Sequence, residues 1–564
     1  MKFLNSFLIF LLAANLVNSQ EQRTIEIIQA GKSVRNSKEF PGANILQRDD
    51  NLRVILFHDG ARIESDLSYY YFNENSFTAN GKVNFNQGDS LSLTSDFLEY
   101  DGKSKKAFAY GNVILTRPDM RLETDTLYLD RIKNIAYYNS KGKIIDNENT
   151  LRSNSGTYYM GPKKYIFKSN VTIDNPEYNV DSEELEYYTE SNYTYFNDKT
   201  LITGIDYSIL CTNGFYDTYS QKGFFRENAV INYDGKIING DSIYFENEKS
   251  YASATYNIKI NDTVNNSIIT GHYGEIFKEK DSAVITKNAL AVNIIKNDSL
   301  YIHSDTITIT GPNEKKILKG YYDVRILKSD VRGLSDSIHF NQETGLIKLL
   351  KKPRSSKYLK SLTDEEKNEI NPIIWFGKNQ ITGDKIFLKS NIQTEELDSL
   401  IIRGNVFMSQ RDSIVDDRFN QIKGENLDGF FNDGKLDNVF IVKNSTLLYF
   451  MYSDEGEFIG LNNTLASSIL IRFTENEISE VSFYRNPDGN VISENKIIVN
   501  EMKLPGFIWR ENEKPESIDD LFSEADKKIN ILAISTSEIK LSVIIDENNT
   551  LDAVKKLHTL FDLD

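Results

Sequence analysis

The residues of this 564-residue chain that could do chemistry are few and far apart. Five histidines, His58, His272, His303, His339 and His558, stand singly, with no i, i+4 pair and no ligand spacing of the zinc type. Cys211 is the only cysteine, which excludes an intramolecular disulfide framework and a thiolate metal cluster. The adjacent acids Glu183 and Glu184 have the residue types that glycoside hydrolysis uses. With 82 acidic residues in the chain, however, such neighbours are expected on any solvated face. The stretch GPNEKK at 311 to 316 lacks the Gly-Lys-Ser/Thr ending of a phosphate-binding loop. A formal net charge of −17 argues against a nucleic-acid partner, because a phosphate backbone demands Lys and Arg counter-charge. The expectation is a protein that is not an enzyme, holds no metal and needs no cofactor.

What positions residues in this chain is a repeat. Hydrophobic residues make up 40%, with 31 Tyr, 32 Phe and only 10 Pro, a composition suited to strands. From Ser95 to Leu129 an alternating strand, a polar turn and a second strand run into the opening of the same unit again, with Asp125 standing where Asp96 stood. Openings marked this way fall at Asp66, Asp96, Asp125, Asn154, Asp181, Asn213, Asp241, Gly271, Asp305 and Asp336. More widely spaced ones follow at Asp384, Glu425 and Asn463. Residues two and four positions after the opening share one face of a strand. These are Leu98 and Tyr100, Leu127 and Leu129, Ile243 and Phe245, Ile307 and Ile309, Ile338 and Phe340, and Ile386 and Leu388. Asp66 and Asn213 do not fit this pattern, and their register stays open.

The second strand of a unit often carries a Gly/Asn-Val step, at Gly81-Lys82-Val83, Gly111-Asn112-Val113, Ser169-Asn170-Val171 and Gly404-Asn405-Val406. Alternating apolar residues follow, as at Val113 and Leu115, and Ile258 and Ile260 alternate in the same way. A recurrent strand glycine marks a bulge or sharp bend, which a flattened two-sheet roll needs at its corners. The fold expected is all-β: a repetitive antiparallel β-jellyroll or solenoid of two facing sheets, with a short helical linker and a small α/β C-terminal fragment.

Residues 1–19 read as a signal peptide, with Lys2, an apolar run from Phe7 to Ala14 and the small exit Val17-Asn18-Ser19. Repeats are expected over 20–347. A linker follows at 348–372, with six basic residues (Lys348, Lys351, Lys352, Arg354, Lys357, Lys360) and a Thr363/Glu366 capping box. A second repeat segment occupies 373–515. Over 516–564 the character changes to strand, turn, strand and a helix from about Thr550 to Phe561.

The pattern Asp-x-apolar-x-apolar, polar turn, Ala-x-Ala-x-Gly-Asn-Val, seen from Asp96 to Val113 with Ala107, Ala109, Gly111 and Asn112, resembles the OstA-like family of periplasmic lipopolysaccharide-transport proteins. The stretches 239–260 and 382–408 repeat the match, and 486–510 resembles the closing part of long Bacteroidetes-type members. Residues 529–564 resemble the end of an aspartate kinase ACT domain, around Ser535-Thr536-Ser537-Glu538.

The first resemblance implies a periplasmic protein, at the outer membrane or bridging to it, whose apolar groove holds the acyl chains of lipopolysaccharide. On that implication the groove candidates are Leu98, Tyr100, Val113, Leu115, Leu127, Leu129, Ile243, Phe245, Ile258, Ile260, Ile307, Ile309, Ile338, Phe340, Ile386 and Leu388. It also implies edge-strand pairing with inner- and outer-membrane lipopolysaccharide transport proteins, or head to tail with further copies. The alternative is an exported β-solenoid adhesin or scaffold without lipid transport. Its inward columns would be ordinary core, as in any β stack, and it would bind through Tyr-rich faces such as Tyr69-Tyr70-Tyr71 or Tyr187-Tyr188.

Overall fold

The computed structural model describes residues 24–522 apart from 89–90, 119, 147–148, 234, 296–297, 313–314, 393, 395, 454, 475–476 and 498–501. It also describes the hairpin strands Ile531–Ser537 and Lys540–Ile545, and Val554. The signal peptide and most of the helix expected at 550–561 lie outside the described residues. Strands take up 67% of the structure and helices 5%.

A recurrent break inside the strands organises everything else. In the strand Ser76–Gln87, Gly81 and Lys82 both have left-handed backbones, with φ of 79° and 44°. One residue of the partner strand, Asp96, stands opposite the two, so the register jumps from Asn80↔Phe97 to Val83↔Ser95. Two residues against one bend the chain, and the halves on either side of the bend pair in different ladders. The same pair of positive φ angles recurs at Gly111–Asn112, Ser169–Asn170, Tyr256–Asn257, Lys287–Asn288, Tyr322–Asp323, Gly404–Asn405 and Lys443–Asn444. Gly and Asn recur because they enter this conformation at least cost.

The opposing Asp is tied to the bulge through its carboxylate. Asp96 Oδ2 accepts from Asn112 Nδ2 at 2.7 Å, Asp241 Oδ2 from Asn257 at 2.7 Å and Asp384 Oδ2 from Asn405 at 2.9 Å. A Cβ on Gly111 would lie 2.7 Å from Asp96 Oδ2, so the glycine is needed for space as well as for its φ of 75°.

The chain divides into two compact units, Met1–Ala229 and Val230–Asp564. In the first, sheet A joins Lys32–Val34, Ala43–Gln47, Leu67–Tyr71 and the half-strands 76–80, 97–101, 106–110 and 126–130, and continues to Asn213–Asp217. Sheet B joins Glu26–Gln29, Val54–His58, Ala61–Ser65 and the complementary halves 83–87, 91–95, 113–117 and 120–124, and continues to Tyr207–Cys211.

The second unit repeats the plan. Sheet C runs through 242–246, 251–255, 273–277, 282–286, 306–310, 317–321 and 337–341 to Glu477–Tyr484. Sheet D runs through 236–239, 258–262, 267–270, 289–295, 298–303, 324–327 and 332–335 to Asp488–Ile492. Each sheet buries its inner face.

Four of the expected openings shift. The bends fall at Glu183, Thr212, His272 and Ser467, where the openings had been expected at Asp181, Asn213, Gly271 and Asn463. With Thr212 as the bend, Gly214 and Tyr216 take the inward places, which resolves the misfit of Phe215 and Asp217. At Asp66 the pattern does hold: Ser68 and Tyr70 are its inward residues, 0% and 3% exposed.

Residues 351–384 are an elaboration inside the second unit. Leu346–Leu350 pairs directly with Lys385–Ser390, keeping sheet C continuous, while Ile373–Phe376 and Asn379–Thr382 extend sheet D. Helices Ser356–Ser361 and Asp364–Glu369 lie between them, the second with its Thr363/Glu366 capping box formed.

The chain then runs back over the outside of sheet D as a strap, where Leu504 packs with Phe407, Leu448, Phe450 and Leu461. Buried amides hold its backbone. Gln421 donates to the Met502 carbonyl and accepts from Leu504 N–H, and Gln380 does the same with Ile508 and Arg510.

Candidate functional site

The candidate groove residues all face inward, but their surroundings differ. In the first unit Leu98, Tyr100, Val113, Leu115, Leu127 and Leu129 are 0–7% exposed, in a packed interior. The cavity beside them, lined by residues such as Leu115, Leu127, Tyr138 and Phe167, amounts to about 20 Å³, around one water molecule.

Polar and aromatic contacts close the rim between sheets A and B. Tyr100, on sheet A, shares a hydrogen bond with His58 Nδ1 of sheet B at 2.9 Å and accepts another from Arg131 at 2.9 Å. The turn at Asp59 is held by Lys105 at 2.6 Å, a bond that keeps its carboxyl below the ordinary range. Further along, the Arg117 guanidinium lies 5.0 Å from the Tyr158 ring centre. Beyond it four inward tyrosines, Tyr178, Tyr187, Tyr207 and Tyr216, have their hydroxyl pKa values raised by burial, that of Tyr178 to about 12.

The second unit is different over residues 236–341. Beside the bends the inward residues are sealed: Ile243, Ile285, Ile307 and Ile338 are 0% exposed and Ile258 2%. Two residues closer to the hairpin turns, Phe245, Ala283, Ile309, Leu318 and Phe340 on sheet C are only half-buried. Facing them on sheet D, Ile260, Ile269, Ala291 and Leu300 are 5–6% exposed. On sheet C exposure therefore rises from the bends, where the sheets join, towards the turns, while the facing residues of sheet D stay buried, which leaves an apolar rim exposed on its sheet C side.

Eight candidates, Ile243, Phe245, Ile258, Ile260, Ile307, Ile309, Ile338 and Phe340, come together here. Ile386 and Leu388 do not, because they sit in the sealed part of the interior beyond residue 346, at 0% and 2% exposure.

One ion pair crosses this rim. Asp262, at the end of its sheet D strand, accepts from Lys316 Nζ at 2.6 Å, and Lys316 directly precedes a sheet C strand. Their side chains are 5% and 18% exposed. Burial opposes ionisation of Asp262, but the bonds from Lys316 and from Asn265 outweigh it and hold the carboxyl below its ordinary value. Sequence reasoning missed the pair, whose members lie 54 residues apart. The alternation that found the apolar columns contains no signal for a contact between two strand ends.

Among the described residues no group of three or more His, Cys, Asp or Glu side chains could hold a metal ion.

Residues 22–183 match the family model of OstA-like proteins, and residues 522–561 match that of the ACT domain. Among solved structures, a similar chain is LptH of Pseudomonas aeruginosa, described as the LptA-homologous periplasmic component of the lipopolysaccharide transport device. It is 15% identical, the alignment covers 18% of this chain and 79% of that one, and the TM-score is 0.18. No curated protein matches the sequence.

Proposed function

We propose that this chain, OstA-like over residues 22–183 and built on the same bend repeat beyond them, is a lipopolysaccharide-transport-type protein. Acyl chains lie along the rim between sheets C and D. The observation that carries this reading is the graded exposure of the inner face over 236–341. Half-buried Phe245, Ile309 and Phe340 there offer apolar surface continuous with a sealed interior. Each chain methylene leaving water contributes about 0.8 kcal/mol, so a tail needs burial and no bond-making. An acidic protein has no general attraction for an anionic saccharide, which leaves the tails as the main source of affinity.

On this reading the protein works in the periplasm and needs no catalytic residue. Its terminal strands, Glu26–Gln29 and Lys32–Val34 in the first unit and Glu477–Tyr484 and Asp488–Ile492 in the second, are the edges on which membrane-bound transport partners or further copies would pair. A closed scaffold is the second reading, favoured by the sealed interior of the first unit and of residues 346–484.

Photo-crosslinking in cells separates the two. A photoreactive residue at Phe245, Ile309 or Phe340 should capture lipopolysaccharide, while one at sealed Ile243 or Ile307 should capture far less. Failure at all three rim positions rejects the carrier and leaves the scaffold.

A further inference from the structure

The outer face of sheet C carries a run of lysines with no acid paired to it. Three neighbouring strands place Lys319 directly opposite His339, and His339 directly opposite Lys348. The next strand adds Lys385 and Lys389, which stand opposite Leu350 and Leu346. Among the described residues the ammonium groups of these four lysines make no ion pair, hydrogen bond or ring contact. Glu343, Asp384 and Asp428, which border the run, are already held by Lys315, Lys351 and Arg403.

Outward lysines are treated differently in the first unit. On the outer face of sheet A, Lys164 lies 3.1 Å from Glu186 and Lys168 lies 2.9 Å from Glu184, each acid on the adjacent strand. Like charges set across neighbouring strands lower stability instead. Their effect is visible at His339, where burial and then the charges of Lys319 and Lys348 hold the imidazole below its ordinary value. Apolar side chains occupy the same face. Phe387 stands opposite both Lys348 and Ile401, and these two apolar residues are half-buried, as are Leu346 and Leu350. A lysine among such neighbours covers them with its stem and keeps its ammonium in water.

We propose that this outer face of sheet C docks on the surface of an anionic phospholipid bilayer. Protein interfaces are poor in Lys and are anchored by Trp, Tyr and Arg. Lysines interleaved with Leu, Ile and Phe suit a bilayer better, since it offers phosphates at no fixed position above an apolar layer. The net charge of −17 does not prevent the approach, because charges farther off than about 10 Å are screened at about 0.1 M salt. It confines the approach to this side. The face is the back of the sheet whose inner side carries the exposed rim, and its docking does not depend on what the rim holds.

At about 0.1 M salt the full chain should sediment with vesicles of phosphatidylglycerol and phosphatidylcholine, and not with phosphatidylcholine alone. Binding should be lost at about 1 M salt, where the screening length falls to about 3 Å. A lysine near an anionic surface is worth roughly fivefold in affinity, so Lys319→Gln with Lys348→Gln should weaken binding about tenfold to thirtyfold. Lys385→Gln with Lys389→Gln, at two exposed positions, should do the same without disturbing the fold. Lys163→Gln with Lys168→Gln removes equal charge from the first unit and should change binding by less than about twofold.

No binding to the anionic vesicles, equal binding to the neutral ones, or an equal loss with Lys163→Gln and Lys168→Gln overturns the proposal. Polyglutamate bound at least as tightly as the vesicles, and released by the same sheet C substitutions, would overturn the lipid and assign the face to an acidic protein.

Discussion

At the scale of single residues, the bulge pair decides both what the sequence displays and what it hides. Gly111→Ala adds a Cβ 2.7 Å from Asp96 Oδ2 at a φ of 75°, and should cost about 2 kcal/mol or more in chemical denaturation. Lys287 is the converse case. It is exposed and holds a φ of 61°, a conformation that costs a side chain with a Cβ roughly 1–2 kcal/mol. Lys287→Gly forfeits about 0.5–1 kcal/mol to chain entropy and removes that strain, so a net gain of about 0.5–1 kcal/mol is expected, read as a higher denaturation midpoint. The repeat was legible where bulge and bend use their preferred residues, as in Asp96 with Gly111–Asn112 and Asp384 with Gly404–Asn405. It slipped at Glu183, Thr212 and His272, because a single-residue bend imposes no strict side-chain requirement. Apolar alternation was readable where the opening was placed correctly, as at Leu98 and Tyr100, since inward position follows from strand parity alone, whereas the one-residue shifts at Thr212 and His272 invert it. Which inward residues reach the rim was not readable. Ile307 and Ile309 look alike in sequence, and only their distances from the bend separate them.

Between elements, the contacts that close or cover the sheets join residues far apart in the chain, which local pattern cannot show. Arg131 reaches the Asp59 carbonyl across 72 positions, and Leu504 N–H reaches Gln421 across 83. Two predictions belong here. Gln421 is 0% exposed and makes two bonds to the strap backbone, at 2.9 Å and 2.8 Å, besides one to the Phe419 carbonyl of its own strand at 3.1 Å. Gln421→Ala leaves a buried N–H without a partner, so it should cost about 2–4 kcal/mol and make the strap near Met502 a site of early proteolysis. The second concerns Asp262 and Lys316. Because the folded carboxyl titrates below its ordinary value of 3.8, the pair contributes its stabilisation above that pH and loses it as pH falls through the folded value. Lys316→Met should therefore lower stability by about 1–3 kcal/mol at neutral pH. Its difference from the parent should shrink as pH drops below about 4. A difference that stays constant down to about pH 2 would mean that Lys316 acts through packing of its stem.

For the molecule as a whole, the question is where the β body of the second unit ends and what the C-terminal segment adds to it. Leu521 is 0% exposed on the outside of sheet D, against Leu290 and Leu327, and the Phe522 ring lies 4.8 Å from that of His303. Arg325 fixes the same stretch by donating to the Asp520 carbonyl at 3.0 Å. The hairpin Ile531–Ser537 with Lys540–Ile545 forms a sheet of its own, and a two-stranded sheet is marginal in water. The β body should therefore reach its full stability at Phe522. A chain ending after Phe522 should melt where the full chain does. One ending after Lys514 loses the burial of Leu521 and uncovers Leu290 and Leu327, a loss of about 2 kcal/mol or more. In a domain of this size that amounts to several degrees, with a rise in binding of a hydrophobic dye. Equal melting of all three chains would mean that Leu521 covers the sheet without stabilising it. A drop on ending at Phe522 would instead show that the ACT-like segment contributes to the stability of the β body, and would move the boundary of the folded unit past residue 522.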